Sequence, residues 1–227
     1  MSDQIKPILL LADSQAFFRK DDKNRPLLHE LINSIEPEFC NAVYIGASNG
    51  DAPEFYEIFE LAMDGLGVKN CKQIFSEFNE ADQKALSNAD IILLAGGSVV
   101  LGQEILDKTG MKALIIEKRS KGCILIGVSA GAVLLGCEYF KNPVESDDNE
   151  IIEGLKLIPA NIGAHDEAND WTELKYLLKY SNGMQRGLGL PFGSGILYHA
   201  DNTFAIIGKP IAEFVNQQGT IKEAVIY

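Results

Sequence analysis

The sequence predicts an α/β fold built on a doubly wound, mostly parallel sheet, and three observations carry that expectation. Short apolar runs alternate with helical patterns from Ile8 to Cys137. Two of the runs, ending at Leu94 and Val128, are continuously apolar, as strands covered on both faces must be. Each of these two passes at once into glycine and small residues and then into a helical pattern. That order builds ligand corners at the carboxyl ends of a parallel sheet.

A chain of 227 residues, 46% hydrophobic and 23% charged, suits one α/β domain over residues 1–227 without a disulfide or metal staple. Twenty basic against 32 acidic residues leave a formal charge of −12, which argues against nucleic acid or an anionic membrane as partner. Cys40, Cys71, Cys123 and Cys137 have neither a CxxC nor a zinc-finger spacing, and Cys123 falls inside a predicted buried strand, so reduced thiols are expected. No histidine or cysteine cluster has metal-ligand spacing, and neither a metal nor another cofactor is expected. The opening Met1 to Pro7 leads into a four-residue apolar run with no basic leader or long hydrophobic stretch, so the cytoplasm is the expected location.

Taken in order, Ile8–Ala12 and Ala42–Ile45 predict strands, with a helix over 26–35 between them. Asn49-Gly50-Asp51 reads as a turn with helix capping rather than a substrate contact. Glu54–Leu66 sets Phe55, Phe59, Leu61, Ala62 and Leu66 at helical spacing, and Gly65-Leu66-Gly67 closes the helix. Gln73–Phe75 predicts a short strand. Ala89–Leu94 predicts a buried one, ending in Ala95-Gly96-Gly97-Ser98 before a helix over 100–108. That Gly-Gly corner can hold an anion. It lacks the lysine of a P-loop and the third glycine of a dinucleotide fingerprint, which argues against a nucleotide.

A helix over 111–121 feeds the strand Cys123–Val128. Residues 145–150 read as a solvated acidic loop, Leu155–Pro159 as a strand, Asn161–His165 as a loop, and Asn169–Tyr180 as a helix. Tyr176, Leu177 and Tyr180 give that helix an apolar face suited to the core or to a homodimer contact. Gly187–Leu190, Ile196–His199 and Thr203–Ile207 predict short antiparallel strands at a sheet edge.

The most informative segment is Gly127-Val128-Ser129-Ala130-Gly131, where a buried strand turns directly into a small-residue helix over Ala130–Leu135. A serine on such a corner is exposed, and flanking glycines let backbone pass close to it. The next N–H, that of Ala130, and the positive end of the helix then face any oxyanion formed there. A serine needs a base, and histidine is the usual one. His29 lies in a charged segment read as surface, and His199 lies in a presumed edge strand. His165 lies in a loop after a strand, where a doubly wound sheet places residues beside the elbow. The residues alone do not decide among them.

Read together, Ile91-Ile-Leu-Leu-Ala-Gly-Gly-Ser98, Ile126-Gly-Val-Ser-Ala-Gly-Ala132 and Leu155-Lys-Leu-Ile-Pro-Ala-Asn-Ile-Gly-Ala-His165 resemble the peptidase E family, the aspartyl dipeptidases and their cyanophycinase relatives. The resemblance runs from the first strand to about Gly208. It implies a flavodoxin-like fold related to class I glutamine amidotransferases, with serine in place of the cysteine nucleophile. It also implies Ser129 as nucleophile, His165 as general base and then acid, and the N–H groups of Gly97 and Ala130 as oxyanion hole. Ser98 stands where the family has a substrate-side asparagine.

Two departures bear on function. Where the family carries a glutamate that orients the histidine, this chain has Phe192 in Gly189-Leu-Pro-Phe-Gly193. Three outcomes are open: another carboxylate serves, with Asp201, Asp166, Asp147 and Asp148 considered in that order; a Ser-His dyad works; or hydrolysis has been lost. Asp166-Glu-Ala-Asn-Asp-Trp171 also lacks the arginines that would receive an aspartyl side chain, and Arg186 is the nearest basic residue in sequence. The expected activity is acyl-enzyme hydrolysis of a small peptide or amide. The competing readings are a weak or inactive homologue that binds a small ligand at the same corner, and a non-peptidase esterase or amidase.

Overall fold

The computed structural model describes residues 5–20, 28, 36–142, 150–181 and 183–227. The helix expected over 26–35, with His29, and the segment holding Asp147 and Asp148 lie outside the described residues. The chain runs through β1 (Ile8–Leu11), β2 (Asn41–Ile45), α1 (Pro53–Gly65), β3 (Asn70–Ile74), α2 (Glu80–Ser87), β4 (Ile91–Leu94), α3 (Val99–Thr109), α4 (Met111–Ser120), β5 (Ile124–Val128) and α5 (Ala130–Leu135). It continues with β6 (Glu138–Phe140), β7 (Ile151–Glu153), β8 (Asn161–Ala164), α6 (Thr172–Tyr180), β9 (Arg186–Leu190), β10 (Ser194–Tyr198), β11 (Phe204–Gly208), β12 (Ile211–Gln217) and β13 (Thr220–Ile226).

The main sheet has the order β11-β10-β1-β5-β4-β2-β3, with β1 to β5 parallel and β10 and β11 added antiparallel beside β1. This is the flavodoxin-like, mostly parallel architecture expected. Alternate residues of each strand point to opposite faces. Leu10, Ile45, Leu94 and Leu125 therefore pack with Leu86, Leu106, Ile115 and Leu134 of α2 to α5. Leu9, Tyr44, Leu93 and Ile126 pack with Phe59 and Met63 of α1 and with Phe17. Burial on both faces explains why β1, β4 and β5 carry no polar residue.

A second sheet, β13-β12-β9-β8, was only partly legible in the sequence. Leu188, Leu190, Ile162 and Ile211 turn one of its faces to the main core. Its other face carries Ala212 and Phe214 against Trp171, Leu174 and Leu178 at and within α6. The strand Gly187–Leu190 was expected beside the edge strands of the main sheet, but β9 instead pairs with β8 and β12.

Two expectations are corrected between α5 and α6. Leu155–Pro159 is not a strand, and the segment expected to be a loop holds β8. The N–H groups of Leu155, Lys156, Leu157 and Ile158 donate at 2.7–3.0 Å to the carbonyls of Leu134, Gly136 and Leu135. The apolar run thus satisfies the end of α5 instead of joining a ladder, with Lys156 in left-handed backbone at φ 56°. In α1 the buried positions are Phe59, Ala62 and Met63, whereas Phe55 and Leu61 face outward. Helix α6 begins at Thr172, after a one-turn 3₁₀ segment over Glu167–Asn169.

All four cysteines are free thiols. Burial pushes Cys40 and Cys71 up to about 11 and Cys123 up to about 12, so none is poised as a thiolate nucleophile. Among the described residues no helix is long and apolar enough to cross a membrane, and no cluster of histidine, cysteine and carboxylate could hold a metal.

Phe214 is fully buried between α6 and the second sheet, its ring 6.4 Å from that of Trp171. Phe214→Ala should lower the unfolding free energy by about 3–5 kcal/mol, measured as a fall in the urea midpoint at unchanged slope.

Candidate active site

The carboxyl ends of β1, β2, β4 and β5 converge on Ser129, the first residue beyond β5. Its backbone has φ 51° and ψ −112°, a conformation that a side-chain-bearing residue holds only when its surroundings impose it. The Ser129 N–H donates to the carbonyl of Leu11 at 2.8 Å, extending the β1–β5 ladder by one bond into the bend. Ala132 and Val133 return their N–H groups to the Ser129 carbonyl at 2.9 and 3.1 Å, which starts α5 at once. A Cβ on Gly131 would stand 2.1 Å from the carbonyl oxygen of Leu94, so only glycine lets the helix sit this close to β4.

The second corner follows β4. Gly97 has φ 133°, and a Cβ there would meet the Ser48 carbonyl oxygen at 2.1 Å, while the Ser98 N–H donates to that same oxygen at 2.7 Å. The Gly96-Gly97 bend is thereby pinned beside Ser129. Among the described residues the N–H groups of Gly97 and Ala130 donate to no protein acceptor, and both residues line the space next to the Ser129 hydroxyl. Ser98 is placed differently: its hydroxyl accepts from the Leu101 N–H at 3.2 Å, caps α3 and lines neither cleft at the site.

His165 arrives from the other sheet. It follows β8, with φ 45°, and its N–H donates to the Leu190 carbonyl at 2.8 Å, one step beyond the β8–β9 ladder. Its Nε2 lies 2.8 Å from the Ser129 hydroxyl oxygen across 36 residues of chain. Among the described residues its Nδ1 has no hydrogen-bond acceptor.

Phe192 stands on the loop between β9 and β10 and lines the same cleft as Ser129 and His165. The loop is tightly held. Glu167 accepts from the Phe192 N–H at 2.9 Å, Asp13 accepts from the Gly193 N–H at 2.5 Å, and Arg19 donates to the Gly193 carbonyl at 2.5 Å. Asp13 and Glu167 are therefore spent on the backbone of this loop.

The structure does not bring Asp201 or His199 to the site. Strand β10 runs antiparallel to β1, with Gly195 opposite Leu11 and Tyr198 opposite Ile8, so the turn after Tyr198 lies at the far end of the sheet. There Asp201 accepts from the N–H and hydroxyl of Thr203. Asp166 accepts from the Asn169 side chain at 2.8 Å and lines a cleft of about 210 Å³ with Glu173. Partial desolvation, and then the charge of Asp166, raise the Glu173 carboxyl above its ordinary range although the side chain reaches the surface. Arg186 is turned away and paired with Glu213 at 2.7 Å.

Against this geometry, the family model for "Peptidase family S51" matches residues 8–206. The chain belongs to peptidase family S51. The peptidase E resemblance thus holds across most of the chain, and membership places the protein among serine peptidases. The crystal structure of a peptidase from an acI-B1 Actinobacterium superposes with a TM-score of 0.72 at 16% identity, covering 100% of this chain and 96% of that one. A putative peptidase E protein from Listeria monocytogenes EGD-e gives 0.64 at 18% identity, covering 90% and 98%. At such identities the likeness is one of fold. Cobyric acid synthases from two strains of Dehalococcoides mccartyi, BAV1 and CBDB1, are 28% identical over 158 residues, or 68% of this chain. The match spans 29% of the length of those proteins.

Sequence patterns did not single out Asp13 or the aromatic wall of the larger cleft, and they marked Glu167 only as a charge beside the substrate and not as the acceptor for the Phe192 N–H. Asp13 directly follows a buried strand on the carboxyl side of the sheet, which was the available signal. Phe55 was legible only as one of a helical repeat. In the S51 fold, Gly131→Ala should force α5 off β4, costing about 1–3 kcal/mol or more of stability and displacing Ser129. Urea unfolding and loss of covalent serine labelling in the folded fraction check both effects.

Proposed function

We propose that this S51 protein is a serine hydrolase that cleaves small peptides or related amides through an acyl-enzyme on Ser129. The 2.8 Å contact between Ser129 Oγ and His165 Nε2 carries the reading. Hydrogen-bond reach between nucleophile and base is the first geometric requirement of such chemistry. His165 takes the hydroxyl proton as Oγ bonds to the scissile carbonyl carbon. The oxygen of the tetrahedral intermediate becomes an anion beside the Gly97 and Ala130 N–H groups, which are otherwise unengaged among the described residues. As the C–N bond breaks, His165 gives its proton to the departing amine. Water then bonds to the acyl carbon as it loses a proton to His165, and His165 returns that proton to Ser129 Oγ as the ester C–O bond breaks and the acid leaves.

A second reading, a weak or inactive homologue that binds a ligand at the same corner, is favoured by one observation. Phe192 cannot accept from imidazole, and nothing described orients Nδ1. In serine proteases the loss of that orientation lowers turnover by about 10⁴.

A fluorophosphonate probe separates the two. Stoichiometric labelling that vanishes in Ser129→Ala and falls by orders of magnitude in His165→Ala is expected; no labelling across a wide pH range would leave the binding role. Phe192→Glu addresses the missing acid. If a dyad operates, the new carboxylate should raise kcat on the order of 10-fold or more, read with a chromogenic amide. An unchanged or lower kcat would mean that another group already orients His165.

A further inference from the structure

We propose that the larger cleft beside Ser129 receives a large apolar or aromatic side chain flanking the scissile bond. The preferred substrates are then small peptides or amides bearing a phenylalanine-, tyrosine- or leucine-like group. This rests on the hydrolase reading above and adds the substrate class to it.

The cleft measures about 500 Å³, within the range of small-molecule sites, and opens directly onto Ser129 and His165. Its walls are Phe17, Tyr44, Phe55, Ile58, Phe59 and Phe192. Tyr44 and Phe59 are buried with ring centroids 5.6 Å apart, and Tyr56 stacks behind them at 5.9 and 6.0 Å, which makes the inner wall rigid. Phe55 and Phe192 are 47% and 43% exposed, an unusual outlay of aromatic surface beside a nucleophile. A bound aromatic group would remove that surface from water and gain edge or offset ring contacts.

Away from Ser129 and His165, the acidic and amide side chains of the lining are already engaged. Asp13 accepts from the Gln15 and Gly193 N–H groups, and Asn49 donates to the Tyr44 hydroxyl at 2.7 Å while accepting from the Ala52 N–H. Among the described residues no lysine or arginine lines the cleft. An acidic side chain entering here would lose its hydration beside Asp13 with no cation to receive it. The site thus selects for the opposite chemistry to an aspartyl group.

The test uses three diphenyl aminoalkylphosphonates whose side chains are benzyl, methyl and carboxymethyl. In each, Ser129 Oγ forms a bond to phosphorus, one phenoxide leaves, and the serine proton passes through His165 to give phenol. Second-order labelling rates come from intact-protein mass spectrometry. The benzyl probe should react about 10-fold or more faster than the methyl probe and about 100-fold faster than the carboxymethyl probe. Phe55→Asp should bring the benzyl-to-methyl ratio towards one, and that ratio does not depend on the folded fraction. If methyl and fluorophosphonate probes label Ser129 but benzyl is no faster, the substrate class is wrong while the hydrolase reading stands. If no probe labels, both fall.

Discussion

The backbone at Ser129 is the constraint on which the site depends. A left-handed φ at a residue with a Cβ costs on the order of 1–3 kcal/mol, and here it is held from both sides. Strand β5 is locked between β1 and β4, so the chain reaches Ser129 with no freedom to relax, and the last ladder bond, to Leu11, fixes its amide. Helix α5 begins at the very next residue, and Gly131 lets it press against β4. The buried strands on either side supply the stability that offsets the strain. The result is a hydroxyl projecting from the sheet beside the Gly97 and Ala130 N–H groups, which have no acceptor among the described residues.

The histidine is positioned by a different part of the molecule. The segment 155–158 gives its amides to the end of α5 and thereby brings β8 alongside the helix that starts at the serine. Strand β9 then fixes His165 through Leu190 and carries the chain on to Phe192 and back into the main sheet at β10. Ser129 and His165 therefore belong to two sheets that share one core, and their contact depends on the packing of both. The buried Trp171, at the start of α6, holds the second sheet from behind.

Charge at the site is arranged for structure more than for recognition. Asp13 and Glu167 hold the loop that bears Phe192 through backbone amides, while Asp166 orders the turn before α6. With these carboxylates engaged, the surface offered to a ligand on the larger side is mainly aromatic.

The sequence by itself determined the parallel sheet and the elbow, because both are written in local patterns. Uninterrupted apolar runs at β1, β4 and β5 require cover on both faces, and glycine flanking Ser129 permits close backbone contact. The pairing of Ser129 with His165 was legible only through family motifs, since three histidines satisfy the same local chemistry. Leu155–Pro159 misled because an apolar run that caps a helix looks like a strand until its partner carbonyls are known. Tertiary structure alone decided that Asp201 lies at the wrong end of the sheet, that β9 leaves the main sheet, and that Phe55 faces a cleft instead of the core. Each of these depends on strand order and on contacts between residues far apart in the chain. Periodicity along one segment carries no information about which distant segment will lie against it.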